Sequence, residues 1–208
     1  MKNIILPISV LLTIGLIALW PLRITKLWKS HDILLHSYRQ AGFSQSLNEG
    51  NLVPRWGGNL NRGYGTPVPM FHYPLNHYLG HLFLSLGFNM TDVMRLLFAG
   101  FYLSGGIGMF FLLKRHTGTL PALAGALVFL LLPYRSVLIY VRGALGEHTA
   151  LSFTPWVFLA FDKLSDKATL KKVAWAALGF SALILLHQAM VLMSSGLLVI
   201  FLLAKFRL

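Results

Sequence analysis

The run VMRLLFAGFYLSGGIGMFFLL, residues 93–113, sets the class of this chain. It is 21 residues of nearly unbroken apolar character closed by Lys114-Arg115, and about 20 such residues carry a helix across a bilayer. Working outward, comparable runs cover Ile4–Leu22, Thr119–Pro133, Ala150–Phe161, Val173–His187 and Met190–Ala204. The whole 208-residue chain is 56% hydrophobic, with a mean hydropathy of +0.66. These values exclude an ordinary soluble domain and predict an all-α, multispanning membrane helix bundle of about six spans. The runs Thr119–Pro133 and Ala150–Phe161 are short and need flanking residues to cross. The run Ile4–Leu22, preceded by Lys2 and ending Trp20-Pro21-Leu22-Arg23, has no small-residue cleavage site and reads as an uncleaved signal anchor.

Charge narrows the class further. Eighteen Lys and Arg face six Asp and Glu, for a net charge of +12. In a soluble protein such an excess suggests nucleic acid. Here the basic residues stand at the ends of apolar runs, which predicts membrane lipid as the partner and no nucleic acid. There is no cysteine, hence no disulfide and no thiolate metal site. Six spans put Lys2, Lys114, Arg115, Lys163, Lys167, Lys171, Lys172, Lys205 and Arg207 on one side, mostly in short loops or tails. The other nine basic residues fall on the opposite side, six of them in one long loop and Arg95 just past its end, where the positive-inside rule is weak. Loop length breaks the tie. The expectation is a plasma (inner) membrane protein with a cytoplasmic N-terminus, a long first outer loop at 23–92 and a second outer segment at 135–149. Residues 75–88 have a helical pattern but are too short to span, so they are expected to lie at the interface. The connector 163–172 reads as a solvated inside loop.

Polar chemistry concentrates in 31–81. Asp32 is the carboxylate nearest the end of the first span, and Asp32 and His36 share a helical face at i and i+4. Asp32 suits a general base and equally suits an N-cap before the apolar Ile33-Leu34-Leu35. Asn51-Leu-Val-Pro-Arg55-Trp56, Gly63-Tyr-Gly-Thr-Pro67 and Phe71-His72-Tyr73-Pro74-Leu75 follow as loop, with Pro74 placed to open a helix. An aromatic belt explains Trp56 and Tyr73; it explains Arg55, Arg62, His72, His77 and His81 less well. His77 and His81, at i and i+4, have a metal-compatible spacing without the intervening Glu of a metalloprotease. The second outer segment offers Arg135, Arg142, Glu147 and His148. Arginine suits bidentate phosphate contact. Glu147 could meet Asp32 and Arg142 in one cleft, pair with Arg142 alone, or cap the next helix. His187, at a span end, is a phosphate-side candidate or a structural hydrogen-bonder. Gly105-Gly106-x-Gly108 reads as a helix-packing surface.

Taken in order, a signal-anchor helix, an early Asp, G-N-x-x-P-R-W, G-Y-G-x-P and F-x-Y-P-L resemble the N-terminal part of the GT-C membrane glycosyltransferases. The likeness is strongest to bacterial 6-pyruvoyl-tetrahydropterin-synthase-related membrane proteins, which look like GT-C proteins and not pterin enzymes. Tyr140-x-Arg142-Gly143-Ala144-x-x-Glu147 and Leu186-His187 also resemble that group, so the likeness covers nearly the whole chain. It implies sugar transfer from a polyprenyl-phosphate or polyprenyl-diphosphate donor to an acceptor at the outer membrane face. Asp32 and Glu147 would be the catalytic acids, and Arg55, Arg142, His72 and His187 the phosphate-side residues. No cofactor is implied with certainty, and a divalent metal is left open. Many relatives carry a second acid where this chain has His31, and they run to ten or more spans. The chain is therefore expected to be a single module, the N-terminal part of a longer protein. The alternative from another class is a non-catalytic headgroup binder, flippase or transporter subunit, or a degenerate scaffold.

Overall fold

The computed structural model describes residues 2–24 and 27–207, and the side chains among them except at the edges of those stretches. Lys2, Lys26 and Arg207, used in the charge argument, lie outside the described side chains. Among the described residues eleven α-helices follow one another: α1 Lys2–Ala18, α2 Pro21–Ile24, α3 Ile33–Asn48, α4 Val68–Phe71, α5 Leu75–Ser85, α6 Met90–Lys114, α7 Thr119–Leu131, α8 Pro133–Ser136, α9 Leu145–Asp166, α10 Leu170–Leu186 and α11 Gln188–Arg207. A 3₁₀ turn at Asn61–Gly63 and a π-helical turn at Val137–Arg142 complete the set, and no strand occurs among the described residues. The protein is all-α, as the apolar periodicity requires.

Among the described residues two helices are long and apolar enough to cross a bilayer, Met90–Lys114 and the Gln188–Lys205 part of α11. A third crossing results if α7 and Pro133–Arg142, bent by 42° at their junction, are counted as one. The apolar part of α1 covers Ile4–Ala18, and α10 has 17 residues. Helix α5 has 11 residues, about 16 Å at 1.5 Å per residue, roughly half of a hydrocarbon core.

Helix α6 is the central column, packed against α7 on one side and α9 on the other, with α10 against α9. Its small residues permit this. Ser152 of α9 lies so close to Gly105 that an added Cβ would stand 2.9 Å from its carbonyl oxygen and 3.0 Å from its Cα. Gly106 seats Leu130 of α7, and Gly108 seats Trp156 of α9. One core joins α1, α6 and α7 through Leu11, Val93, Met94, Phe98, Phe110, Ala122 and Ala126. A second joins α9, α10 and α11 through Ala150, Val157, Leu183, Leu186 and Leu198.

The segment 135–149 differs from the expected loop. Pro133 starts a new helical turn after the bend, and α9 begins already at Leu145. Only Gly143 and Ala144 lie between helices. Arg135, expected in that loop, is fully buried. Its guanidinium lies 4.7 Å from the Tyr102 ring centroid and 4.6 Å from that of Phe129, and it donates to Ser152 Oγ at 2.9 Å. Flat aromatic faces on two sides accept a guanidinium where a loop position would have left it in water.

The two ends of the bundle are both polar and chemically distinct. At one end Asp162 receives Lys205 Nζ at 2.7 Å, Arg115 Nε, and His116 Nε2 at 3.2 Å, while Asp166 receives Lys205 and Arg115 again. The ends of α6, α9 and α11 are thereby tied together. Glu147 lies in the first turn of α9, about 22 Å along the axis from Asp162, and belongs to the opposite end.

Candidate functional site

At the Glu147 end the two segments singled out in the sequence are fastened together by the backbone. His31 N–H donates to Val141 O at 3.0 Å, and Asp32 N–H to Arg142 O at 2.8 Å. Trp28 Nε1 donates to Ile139 O at 2.9 Å, and Tyr140 Oη to Ala18 O at 2.6 Å. The close approach needs Gly143, which has φ +61°; a Cβ there would stand 2.2 Å from Ser30 Oγ. Only a residue without a side chain fits that left-handed position against another backbone.

Asp32 occupies the N-cap position of α3, yet its side chain makes no capping bond. Nor does its carboxylate form a hydrogen bond or ion pair with any described residue. The cap and base readings therefore separate: the position is that of a cap, and the carboxylate is unengaged among the described residues. Glu147 is engaged. It pairs with Arg142 Nη1 at 2.6 Å and accepts a hydrogen bond from the Tyr134 hydroxyl. It also lies in the first turn of α9, where a negative charge is favoured by the exposed N–H groups. The pairing with Arg142 holds, whereas the N-cap of α9 is Ala144, with no side-chain capping bond, so Glu147 does not cap that helix.

Between these carboxylates stands Tyr73. Burial pushes its phenol up to about 12; Arg39 opposes this, and Asp32 and Glu147 add to it. The ring lies directly on Gly146, where a Cβ would come within 2.2 Å of it, and 4.9 Å from the His187 ring. His187 Nδ1 accepts the Met190 N–H at 3.2 Å, capping the start of α11, which leaves the proton of the neutral ring on Nε2.

Beyond Tyr73 lies a histidine cluster. Arg39 Nη1 donates to His72 Nε2 at 2.8 Å; the rings of His36 and His72 are 6.1 Å apart, and those of His72 and His77 5.6 Å. Burial, then neighbouring positive charge, holds His36 at about 3, His72 at about 4 and His77 at about 3. All three are neutral at pH 7. His77 Nδ1 is hydrogen-bonded to Gln40 Oε1 at 3.1 Å, and Gln40 also donates to His77 O and Ser44 Oγ. Because His72 Nε2 accepts from Arg39, its proton is on Nδ1. That atom is buried without a partner, as are Arg39 Nε and His36 Nδ1. Two of these atoms, Arg39 Nε and His72 Nδ1, are buried N–H donors without acceptors among the described residues, a pair suited to an anionic oxygen.

The structure thus gathers Asp32, His72, Arg142, Glu147 and His187 at one end. Arg55 stands apart, exposed on the loop and without an ion pair among the described residues. No group of three or more His, Asp or Glu side chains among the described residues has an arrangement for a metal ion. Two members escaped the sequence reading. Arg39 lies three residues beyond His36, hence on its face of α3, a spacing that could have revealed it. Tyr73 was absorbed by the aromatic-belt reading.

Residues 70–208 match the family model described as a 6-pyruvoyl-tetrahydropterin synthase related domain, a membrane protein. The chain belongs to that family. No curated protein and no solved structure matches it. The matched part of this 6-pyruvoyl-tetrahydropterin-synthase-related protein contains His72, Tyr73, Arg142, Glu147 and His187; Asp32, Arg39 and Arg55 precede it.

Proposed function

We propose that this membrane protein is a GT-C-like glycosyltransferase module. It moves a sugar from a polyprenyl-phosphate or polyprenyl-diphosphate donor to an acceptor at the outer face of the plasma membrane, with about six spans, the N-terminus in the cytoplasm and the Asp32 end outside. The observation that carries the reading is Asp32 itself. It is a carboxylate at an N-cap position that does not cap, has no side-chain partner among the described residues, and is joined through its own N–H to Arg142.

In the reaction, the Asp32 carboxylate takes the proton of the acceptor hydroxyl. The acceptor oxygen forms a bond to the anomeric carbon, and the bond from that carbon to the phosphate oxygen breaks with its electrons going to the phosphate. Arg39 and Arg142 meet the developing charge as cations. His72 and His187, being neutral, serve as N–H donors through Nδ1 and Nε2. Donors fixed before charge develops stabilise it most. Glu147 orients Arg142 by their ion pair. Arg55, on the exposed loop, is assigned to the donor's phosphate as it approaches.

The test is sugar transfer from a radiolabelled polyprenyl-phosphate sugar, comparing the wild-type chain with Asp32→Asn in the same membranes. General-base catalysis is worth about 10²–10⁴-fold, so Asp32→Asn should reduce transfer at least 100-fold while donor lipid still binds. Equal transfer by the two proteins removes Asp32 from the mechanism. No transfer by folded wild-type protein favours the non-catalytic binder or scaffold.

A further inference from the structure

A groove runs down the outside of α9 and α10, far from the Asp32 cluster and independent of the transferase reading. On α9 it is lined by Phe153, Trp156, Ala160 and Lys163, and on α10 by Lys172, Trp175 and Gly179. The spacings of three, four and seven residues make each set one stripe of its helix. The groove encloses about 530 Å³, the size of a small-ligand site. From Phe153 to Lys163 it is about 15 Å long at 1.5 Å per residue, the depth of one leaflet of a hydrocarbon core about 30 Å thick.

Its two ends differ. The floor is wholly apolar, and Gly179 leaves it open, since a Cβ there would touch only Val157 Cγ2 at 3.9 Å. The mouth carries two ammonium groups. Lys172 Nζ is held over it by donation to Lys163 O at 2.7 Å, which leaves two of its three protons for another acceptor. Neither lysine has a carboxylate among the described residues, because Asp162 and Asp166 are taken by Arg115 and Lys205. Trp175, 64% exposed, stands between mouth and floor, where an amphipathic indole suits the headgroup boundary.

We infer that this groove is a binding site for an anionic phospholipid, with its phosphate between Lys163 and Lys172 and one acyl chain along the stripe to Phe153. The floor gains little over bulk lipid, which is equally apolar. The two lysines therefore set selectivity, and the shape sets location.

The experiment uses the full chain in phosphatidylcholine bilayers containing acyl-brominated phosphatidylglycerol or acyl-brominated phosphatidylcholine, and reads quenching of the tryptophan fluorescence that Trp175→Phe removes. The expected preference for phosphatidylglycerol is about 30-fold, equivalent to about 2 kcal/mol at about 1.4 kcal/mol per tenfold. Lys163→Ala/Lys172→Ala should abolish it. Lys167→Ala/Lys171→Ala, which removes the same charge from the connector outside the groove, should retain it. Gly179→Leu should reduce quenching by both lipids with circular dichroism unchanged. Equal affinity for the two lipids, equal loss in both lysine pairs, full quenching in Gly179→Leu, or displacement by millimolar inorganic phosphate would each overturn the assignment.

Discussion

Lowering the pH from 7.5 to 5 should loosen the α3–α5 face of the protein. His36, His72 and His77 titrate at about 3, 4 and 3 in the folded chain, against about 6.5 when unfolded. Burial is the main cause in each case, with Arg39 adding to all three and His187 to His36 and His72. Because the folded values lie below the unfolded one, the unfolded chain binds more protons in the interval. Stability is therefore full above about pH 6.5, falls as pH decreases, and levels off near the folded values. At pH 5 an unfolded histidine is about 1.5 pH units below its midpoint, while the folded one is still neutral. Each such group costs about 2 kcal/mol at about 1.4 kcal/mol per unit. Three acting together give about 6 kcal/mol, comparable to the total stability of a small domain. Amide hydrogen exchange in detergent micelles, corrected for the intrinsic pH dependence, measures this directly. Protection over 33–48 and 75–85 should fall steeply between pH 6.5 and 4.5, with an uptake approaching three protons. In His36→Gln/His77→Gln the uptake should drop to about one. Protection that does not change with pH, or an uptake that stays near three in the double variant, refutes the reasoning.

Two further outcomes follow from close contacts. Gly105→Ala should be less stable than Gly100→Ala by about 1–3 kcal/mol in reversible unfolding in mixed micelles, since helix propensity cancels between them and only Gly105 has backbone of α9 within reach of a Cβ; equal stabilities would mean that α6 and α9 do not pack as described. Gly146→Ala must expel the Tyr73 ring, so ultraviolet titration should find one more tyrosine ionising near pH 10, and an unchanged titration would argue against that contact.

The helices were legible in the sequence because apolar runs, Pro at helix starts and polar connectors record local chemistry. Helices α6 and α11 emerged within a few residues of their expected limits, and the Gly105-Gly106-x-Gly108 surface does what small residues do between helices. The pairing of Asp32 with Arg142 was anticipated only as a shared cleft. Its actual agents are N–H and carbonyl groups that every residue has, and no side-chain pattern encodes them. The histidine cluster joins positions 36, 72 and 77 across a loop, so no helical spacing could announce it. Arg135 misled because an arginine after an apolar run resembles a loop anchor; its place depended on rings at Tyr102 and Phe129 that only tertiary packing supplies.

Arg135 also constrains the order in which this protein can be assembled. As the chain is synthesised, α6 and its Tyr102 are available before the bent pair that carries Arg135 and Phe129, but Ser152 belongs to α9 and comes later. Lipid exacts about 2.5–3.5 kcal/mol for an arginine on an isolated helix at mid-bilayer. The guanidinium must therefore stay against α6 until α9 arrives, which makes residues 90–166 one unit of insertion, completed together, where hydropathy alone would suggest helices entering the membrane one at a time.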